Sequence, residues 1–269
     1  MKKLEFTNKW ILVTGASSGL GREMSVILAR DYHANVVVAA RRREKLESLK
    51  NELEAYGVQV KLIVADLSSE EEADRTVRES FEGQELYGAV LNAGVTYFGR
   101  QVDLPWSQFE SILKTNVIGV VRMTQALVQH FEKSGQEGGV MIVSSMSAFF
   151  PVPYQAAYSG SKGFILNFIT ALSHELTNKR FSLTVYTPAG IATEMTGDEK
   201  FSSLKSWLMP VKQAASEAIH AFRCRKYTYI PGRLNRAGSI FMRFLPAKFI
   251  GSRMAKVYYE ALAKAEKKA

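Results

Sequence analysis

Trp10-Ile-Leu-Val-Thr14 runs straight into Gly15-Ala-Ser17-Ser18-Gly19-Leu20-Gly21, after which Met24, Ile27 and Leu28 recur with Leu20 at helical spacing. A short apolar run, a glycine turn and an amphipathic stretch read as strand, turn and helix. The backbone N–H groups of such a turn and the positive end of the helix converge on one point, which suits a phosphate. The glycines let the backbone approach that anion and let the helix lie close to the strand. The spacing Gly-x-x-x-Gly-x-Gly departs from the commoner Gly-x-Gly-x-x-Gly, and a glycine turn alone is weak evidence. Its position between an N-terminal strand and a helix gives it weight. Gly15, Ser17, Ser18, Gly19, Leu20 and Gly21 are therefore assigned to a nucleotide-binding turn.

Outward from this unit, apolar runs and helical patterns alternate. Strands are expected over 35–40, 59–65, 87–91, 139–143, 182–186 and 227–230, and helices over 44–56, 69–81, 104–129 and 157–176. Alternation of this kind means a parallel sheet of about seven strands with helices on both faces, a doubly wound Rossmann-type α/β fold. Such sheets bind ligands beyond the carboxyl ends of their strands. The polar motifs fall at those ends: Arg41 and Arg42, Asp66 and Leu67, Asn92 and Gly94, Ser144 and Ser145, and the loop Thr187-Pro-Ala-Gly-Ile191-Ala-Thr193.

Two of these motifs carry chemistry. The second strand ends at Ala40 and is followed by Arg41-Arg42-Arg43. In a nucleotide fold this strand end faces the adenosine ribose, where an acidic residue selects NAD. Arginine there can grip a 2′-phosphate through charge-assisted bonds of about 1.5–3 kcal/mol each, which favours NADP(H), with Arg41 or Arg42 making the contact. The plainer reading is that the arginines open a solvated helix. The second motif is Tyr158-Ser-Gly-Ser-Lys162, preceded by Ser145. A four-residue helical spacing stacks phenol and ammonium on one face. The ammonium favours the phenolate and brings a group of pKa ~10 toward the working range, so that it can move a proton at an oxygen whose carbon gains or loses hydride. Tyr-x-x-x-Lys is common by chance, and its context carries the case.

Composition sets the outer limits. With 269 residues, 46% hydrophobic and 23% charged, the chain fits a single large domain over 1–269. A single cysteine, Cys224, excludes an internal disulfide and suits a reducing compartment. There is no run of membrane-spanning length and no signal-peptide core in the first residues, so a cytoplasmic protein is expected. No metal site is expected. The charge is lopsided: residues 200–269 hold 15 Lys and Arg against 3 Asp and Glu, whereas residues 1–199 hold 20 against 23.

Taken together and in order, Thr14-Gly-x-x-x-Gly-x-Gly21, Asp66, Asn92-Ala-Gly94, Asn116, Ser145, Tyr158-x-x-x-Lys162 and the loop from Pro188 to Thr193 resemble the short-chain dehydrogenase/reductase family, in its compact NADP(H)-preferring form. The resemblance covers nearly the whole chain. It implies an oxidoreductase in which Tyr158 is general acid or base, Lys162 lowers its pKa and holds the nicotinamide ribose, Ser145 positions the carbonyl oxygen, and Asn116 supports a proton relay. It further implies that Asp66 contacts the adenine, that Leu67, Asn92 and Gly94 line the cofactor, and that Ile191 and Thr193 belong to a loop clasping the carboxamide. The thirteen-residue separation typical of the family selects Ser145 over Ser144 and Ser147. Three departures stand out. Ala189 takes the place of a frequent glycine, Leu91 that of a frequent asparagine, and the C-terminal ending of many ketoacyl-carrier reductases is absent. The last of these puts carrier-linked substrates and the usual tetramer in doubt.

The substrate is expected to be a lipophilic small-molecule ketone or alcohol. Met195, Phe201, Leu204, Trp207, Leu208 and Met209 would form a lid facing Phe149, Phe150, Pro151 and Tyr154, although such residues can equally pack together or form an oligomer interface. The extension over 233–269 reads as two basic amphipathic helices, one with Ala237, Ile240, Phe241, Phe244 and Leu245 beside Arg236 and Arg243, the other with Phe249, Ile250, Met254, Val257, Tyr258, Ala261 and Leu262. Packing on the domain, on a second subunit of a homo-oligomer (a dimer is favoured), or on a membrane surface are all open to it. Nucleic acid is not expected, since no binding module is evident. Two other readings compete with the enzyme: a non-catalytic NADP(H)-binding regulator and a peripheral membrane-associated protein.

Overall fold

Unbroken aliphatic runs become strands here because both their faces are covered. In the computed structural model, which describes residues 2–197, 207–242 and 244–266, β1 (Trp10–Thr14) sends Ile11 and Val13 to one helical layer and Leu12 to the other. β2 (Asn35–Ala40) divides likewise, with Val36, Val38 and Ala40 on one side and Val37 and Ala39 on the other. A strand buried on both faces needs no polar alternation. With β3 (Val60–Val64), β4 (Leu86–Leu91), β5 (Gly138–Val143), β6 (Phe181–Tyr186) and β7 (Thr228–Tyr229) they form a seven-stranded sheet ordered β3-β2-β1-β4-β5-β6-β7, parallel at every pairing. The order reverses between β1 and β4, and the crevice over the carboxyl ends at that switch point is where such folds take their ligands.

One face of the sheet is covered by α1 (Gly19–Tyr32), α2 (Arg43–Glu54) and α7 (Val211–Arg223), through residues such as Met24, Leu28, Leu46, Leu49, Ile219 and Phe222. The other is covered by α3 (Glu70–Phe81), α5 (Gly119–Ser134) and α6 (Ala156–Glu175), through Val77, Leu127, Phe131, Ile165 and Ile169. The fold is the doubly wound sheet expected from the alternation of patterns.

The continuous helix expected over 104–129 is instead interrupted. α4 (Trp106–Leu113), with Pro105 at its N-cap, leads into a single wide π-type turn (Lys114–Ile118) before α5 begins. The turn rotates Asn116 inward, where its amide accepts from Val95 N and donates to Val95 O, both at 2.9 Å. π-turns of this kind recur at functional sites.

α8 (Arg233–Met242) starts three residues earlier than the pattern around Arg236 predicts. Glu217 on α7 anchors its start, accepting from Gly232 N at 3.0 Å and from Tyr229 Oη at 3.1 Å. α9 (Ala247–Glu266) lays part of its stripe on the domain: Ile250, Ala261 and Ala265 are buried, and Tyr258 meets Phe98 edge-on at 5.3 Å. α8 is turned the other way. Ser239 faces inward at 2% exposure, while Leu234, Ile240 and Phe241 stand 88%, 59% and 66% exposed. Among the described residues no helix is long and apolar enough to cross a membrane. Arg243, Phe201 and Leu204 lie outside the described residues.

Candidate active site

The glycine turn is built for close approach. Gly15 has φ +64°, and a Cβ on it would stand 2.9 Å from the Cα of Ala93. A Cβ on Gly21 would stand 2.4 Å from the Gly15 carbonyl oxygen, nearer than any real contact. Thr14 Oγ1 accepts from Asn92 N at 2.9 Å and Ala93 N at 3.1 Å, and Asn92 Nδ2 donates to Thr14 O at 3.1 Å. The turn after β1 and the Asn92–Gly94 segment after β4 are thus locked side by side. The cradle between them, with no side chain on either glycine, fits a nucleotide pyrophosphate over the start of α1.

β5 and α6 bring the second group together. Ser145 follows the end of β5 in extended conformation; its Oγ accepts from Ser147 N at 3.1 Å and lies 3.5 Å from Pro188 O. Its hydroxyl acts on the phenol of Tyr158, which is half-buried on the first turn of α6 and lines the same cleft. One turn on, Lys162 is 4% exposed; its Nζ lies 5.8 Å from the centre of the Tyr158 ring and donates to Val143 O at 2.9 Å. Asn116 is fully buried behind them, its Nδ2 donating to Ser161 Oγ at 3.1 Å. Gly94 completes the group, since a Cβ there would be 3.2 Å from Asn116 Oδ1 and 3.5 Å from Lys162 Nζ.

The titration of this pair differs from expectation. Burial pushes the Tyr158 phenol up, the Ser145 hydrogen bond opposes it, and the nearby Tyr258 adds to it. Burial brings Lys162 down to about 8. Lys162 reaches for a backbone carbonyl rather than the phenol oxygen, so desolvation, not the ammonium, sets the balance in the protein by itself.

At the far end of the cleft Arg42 is drawn in. Its Nε and Nη2 donate to Ser17 Oγ at 3.2 and 3.0 Å, its Nη2 to Ser18 Oγ at 2.6 Å, and its Nη1 to Glu194 Oε2 at 2.9 Å. Lys45 donates to the other oxygen of Glu194 at 2.6 Å. These two cations hold the Glu194 carboxyl well down, to about 2. Arg41 lines the same end but is exposed and makes no hydrogen bond or ion pair among the described residues.

Ser145, Tyr158, Lys162, Arg42 and Glu194 open onto one cleft of about 640 Å³, within the range of cofactor and substrate sites. Each residue assigned to the site from sequence lines it except Gly21 and Asn116, which stand behind its wall. Asp66 and Leu67 lie at the end of β3, and Ile191 and Thr193 on the loop after β6. That loop is held by a capping box between Thr193 and Thr196, and Gly190 O accepts from Met209 N at 2.9 Å.

A family model for short chain dehydrogenases matches residues 9–202. The chain belongs to the short-chain dehydrogenase family. It is 35% identical over 196 residues to a mouse (Mus musculus) 17-beta-hydroxysteroid dehydrogenase type 3, with 72% of this chain and 63% of that protein covered. It thus spans a little under two thirds of the length of that relative. It is 30% identical over 230 residues to a human (Homo sapiens) inactive hydroxysteroid dehydrogenase-like protein 1, covering 82% of this chain and 67% of that one. Among solved structures, that of a 7beta-hydroxysteroid dehydrogenase superposes with TM-score 0.82 at 25% identity over 94% of this chain and 99% of the other. A short-chain dehydrogenase from Sphingobium yanoikuyae in complex with NADPH superposes with TM-score 0.78 at 25% identity, over 88% and 96%.

In this short-chain dehydrogenase the substrate end of the cleft differs in part from the expected lid. Phe150, Met195, Trp207 and Leu208 line it, but Phe149, Pro151, Tyr154 and Met209 do not. Tyr154 faces Tyr259 at 6.5 Å instead, and Met209 is spent on a bridge to Ile191. Further apolar wall comes from Met242 on α8 and from Met254, Val257 and Tyr258 on α9. Sequence reading placed the α9 residues on an apolar stripe without linking them to the cleft. Lys45 and Glu194 were also missed; one signal was legible, a lysine on the turn following the arginine run.

Proposed function

We propose that this protein is an NADP(H)-dependent reductase or dehydrogenase that interconverts a ketone and a secondary alcohol on a lipophilic, steroid-like molecule. The observation that carries the reading is that Ser145, Tyr158 and, one turn on, Lys162 line one cleft, with cations at one end and an apolar wall at the other. Gly15, Gly19 and Gly21 would admit the pyrophosphate, and Arg42 the 2′-phosphate of the cofactor, which supplies or accepts the hydride when bound. Tyr158 Oη gives its proton to the carbonyl oxygen in reduction and takes it back in oxidation. Ser145 Oγ orients that oxygen, and the Lys162 charge offsets the phenolate left behind. Asn116 keeps Val95 and Ser161 in place, and through them the wall behind Lys162. The steroid class is favoured by the mouse 17-beta-hydroxysteroid dehydrogenase and 7beta-hydroxysteroid dehydrogenase similarities together with Met242, Met254, Val257 and Tyr258. A screen of NADPH oxidation over hydroxysteroid–ketosteroid pairs tests it: Tyr158→Phe is expected to lower turnover by about 10²–10⁴-fold with NADPH binding intact. Retained turnover would remove Tyr158 from the role. An NADP(H) sensor without turnover has no use for Ser145, Tyr158 and Lys162 in one cleft.

A second reading concerns the surface around the mouth of the cleft. The outward face of α8 carries Leu234, Ile240 and Phe241, with Phe244 and Phe249 beyond it and Arg233, Lys248, Arg253 and Lys256 exposed around them. Apolar side chains ringed by cations favour contact with an anionic membrane surface, about 1 kcal/mol per basic residue. Co-sedimentation with phosphatidylglycerol vesicles but not phosphatidylcholine vesicles, lost in Leu234→Glu/Phe241→Glu, is the expected result. Self-association as a dimer through the exposed Phe164 of α6, which stacks on the half-buried Phe168, is tested by the mass measured in sedimentation equilibrium.

A further inference from the structure

Glu194 is the residue of the cleft whose position the proposed chemistry does not explain. It lies on the short turn Glu194–Thr196 that follows the loop after β6, far in sequence from the second strand, yet both its carboxylate oxygens are taken by cations from that region: Arg42 Nη1 at 2.9 Å and Lys45 Nζ at 2.6 Å. The same guanidinium is steered by Ser17 and Ser18 of the glycine turn. Two cations and two hydroxyls converging from a glycine turn and a helix start are the donor set of a phosphate dianion, and here a side-chain carboxylate fills that role. The capping box between Thr193 and Thr196 fixes the direction in which Glu194 leaves the backbone, and Thr193 packs against the turn at Gly19.

We propose that Glu194 is a built-in competitor for the 2′-phosphate of NADP(H), and that Lys45 joins Arg42 in holding that phosphate once the carboxylate is displaced. This rests on the reading of Arg42 as a 2′-phosphate ligand. A cofactor without the phosphate has nothing to exchange for the carboxylate, so Glu194 and Lys45 act on NADP(H) affinity alone. In this scheme the loop after β6, which also carries pocket residues Met195 and Thr196, is released from the second strand's end only by the phosphorylated cofactor.

Calorimetric titration of the full chain with NADP⁺ and with NAD⁺ tests the proposal without turnover. Glu194→Gln is expected to tighten NADP⁺ about three- to tenfold, the range that two half-exposed ion pairs carry, and to leave NAD⁺ within about twofold. Lys45→Met is expected to weaken NADP⁺ by a similar factor with NAD⁺ unchanged. The gain from Glu194→Gln should vanish in Arg42→Ala/Lys45→Met, where nothing is left to compete for. Weaker or unchanged NADP⁺ binding in Glu194→Gln, or an equal change for both nucleotides, would overturn the competitor. If Arg42→Ala leaves NADP⁺ binding unchanged, the 2′-phosphate reading itself fails, whatever Glu194 does. Thermal melts of each variant separate loss of binding from loss of fold.

Discussion

Lys162 offers the most quantitative test of how the site is built. In the unfolded chain its ammonium titrates near 10.5; in the folded protein, 4% exposed, burial lowers it to about 8. Below about 8 both states hold the proton, and folding bears the full cost of a desolvated ammonium. Between about 8 and 10.5 the unfolded state binds more protons than the folded one, so stability rises with pH; above that window both states are neutral and the cost has gone. The fall from 10.5 to about 8 corresponds to about 3 kcal/mol. Tyr158 and Tyr186 add a pH dependence of opposite sign at the top of this window, since their phenols titrate near 10 in the unfolded chain and burial raises both in the folded one. The quantity to measure is therefore the difference between the wild type and Lys162→Met, in which the methylene stem is retained and the charge removed. Urea unfolding from pH 7 to 11 should show this difference moving in favour of the wild type by about 3 kcal/mol, most of it between pH 8 and 10.5. The starting offset at pH 7 also includes the lost bond to Val143 O and is not diagnostic. A difference that stays flat across the window would mean that Lys162 is solvated without ligand, and the desolvation reasoning would fail.

Three further outcomes follow from the geometry. Gly21→Ala forces a methyl to 2.4 Å from Gly15 O, so the turn must shift; nucleotide affinity should fall at least about tenfold in a protein that keeps its far-ultraviolet dichroism. Asn116→Ala removes the bonds to Val95 N, Val95 O and Ser161, and should destabilise the fold by about 1–3 kcal/mol in urea titration, because two part-buried backbone groups and the Ser161 hydroxyl lose their side-chain partner. Tyr258→Ala opens the apolar wall and breaks the edge-on contact with Phe98; it should raise the KM for a lipophilic substrate several-fold while NADP⁺ binding in calorimetry stays unchanged.

Much of this protein was legible from local pattern. The strands were readable because a parallel sheet buried on both faces demands aliphatic runs, and the glycine turn because a Cβ at Gly21 has no room. Ser145, Tyr158 and Lys162 were legible through spacing: a helical turn places the last two, and β5 delivers the first at its end. Reading Arg41-Arg42-Arg43 narrowed a cation to two candidates but could not choose, since the choice depends on which guanidinium meets Ser17 and Ser18 across the turn.

Tertiary structure alone decided the rest. Nothing local links Glu194 to Arg42 and Lys45, about 150 residues away, or turns the stripe of α9 toward the cleft while α8 shows its apolar side to solvent. Nor does the sequence reveal that Lys162 reaches Val143 O, so that burial raises the phenol beside it. The physical reason is the same in each case. Periodicity, turn chemistry and motif spacing report forces acting within a few residues, whereas ion pairing between loops, the facing of terminal helices and desolvation depend on which segments the folded sheet brings into contact.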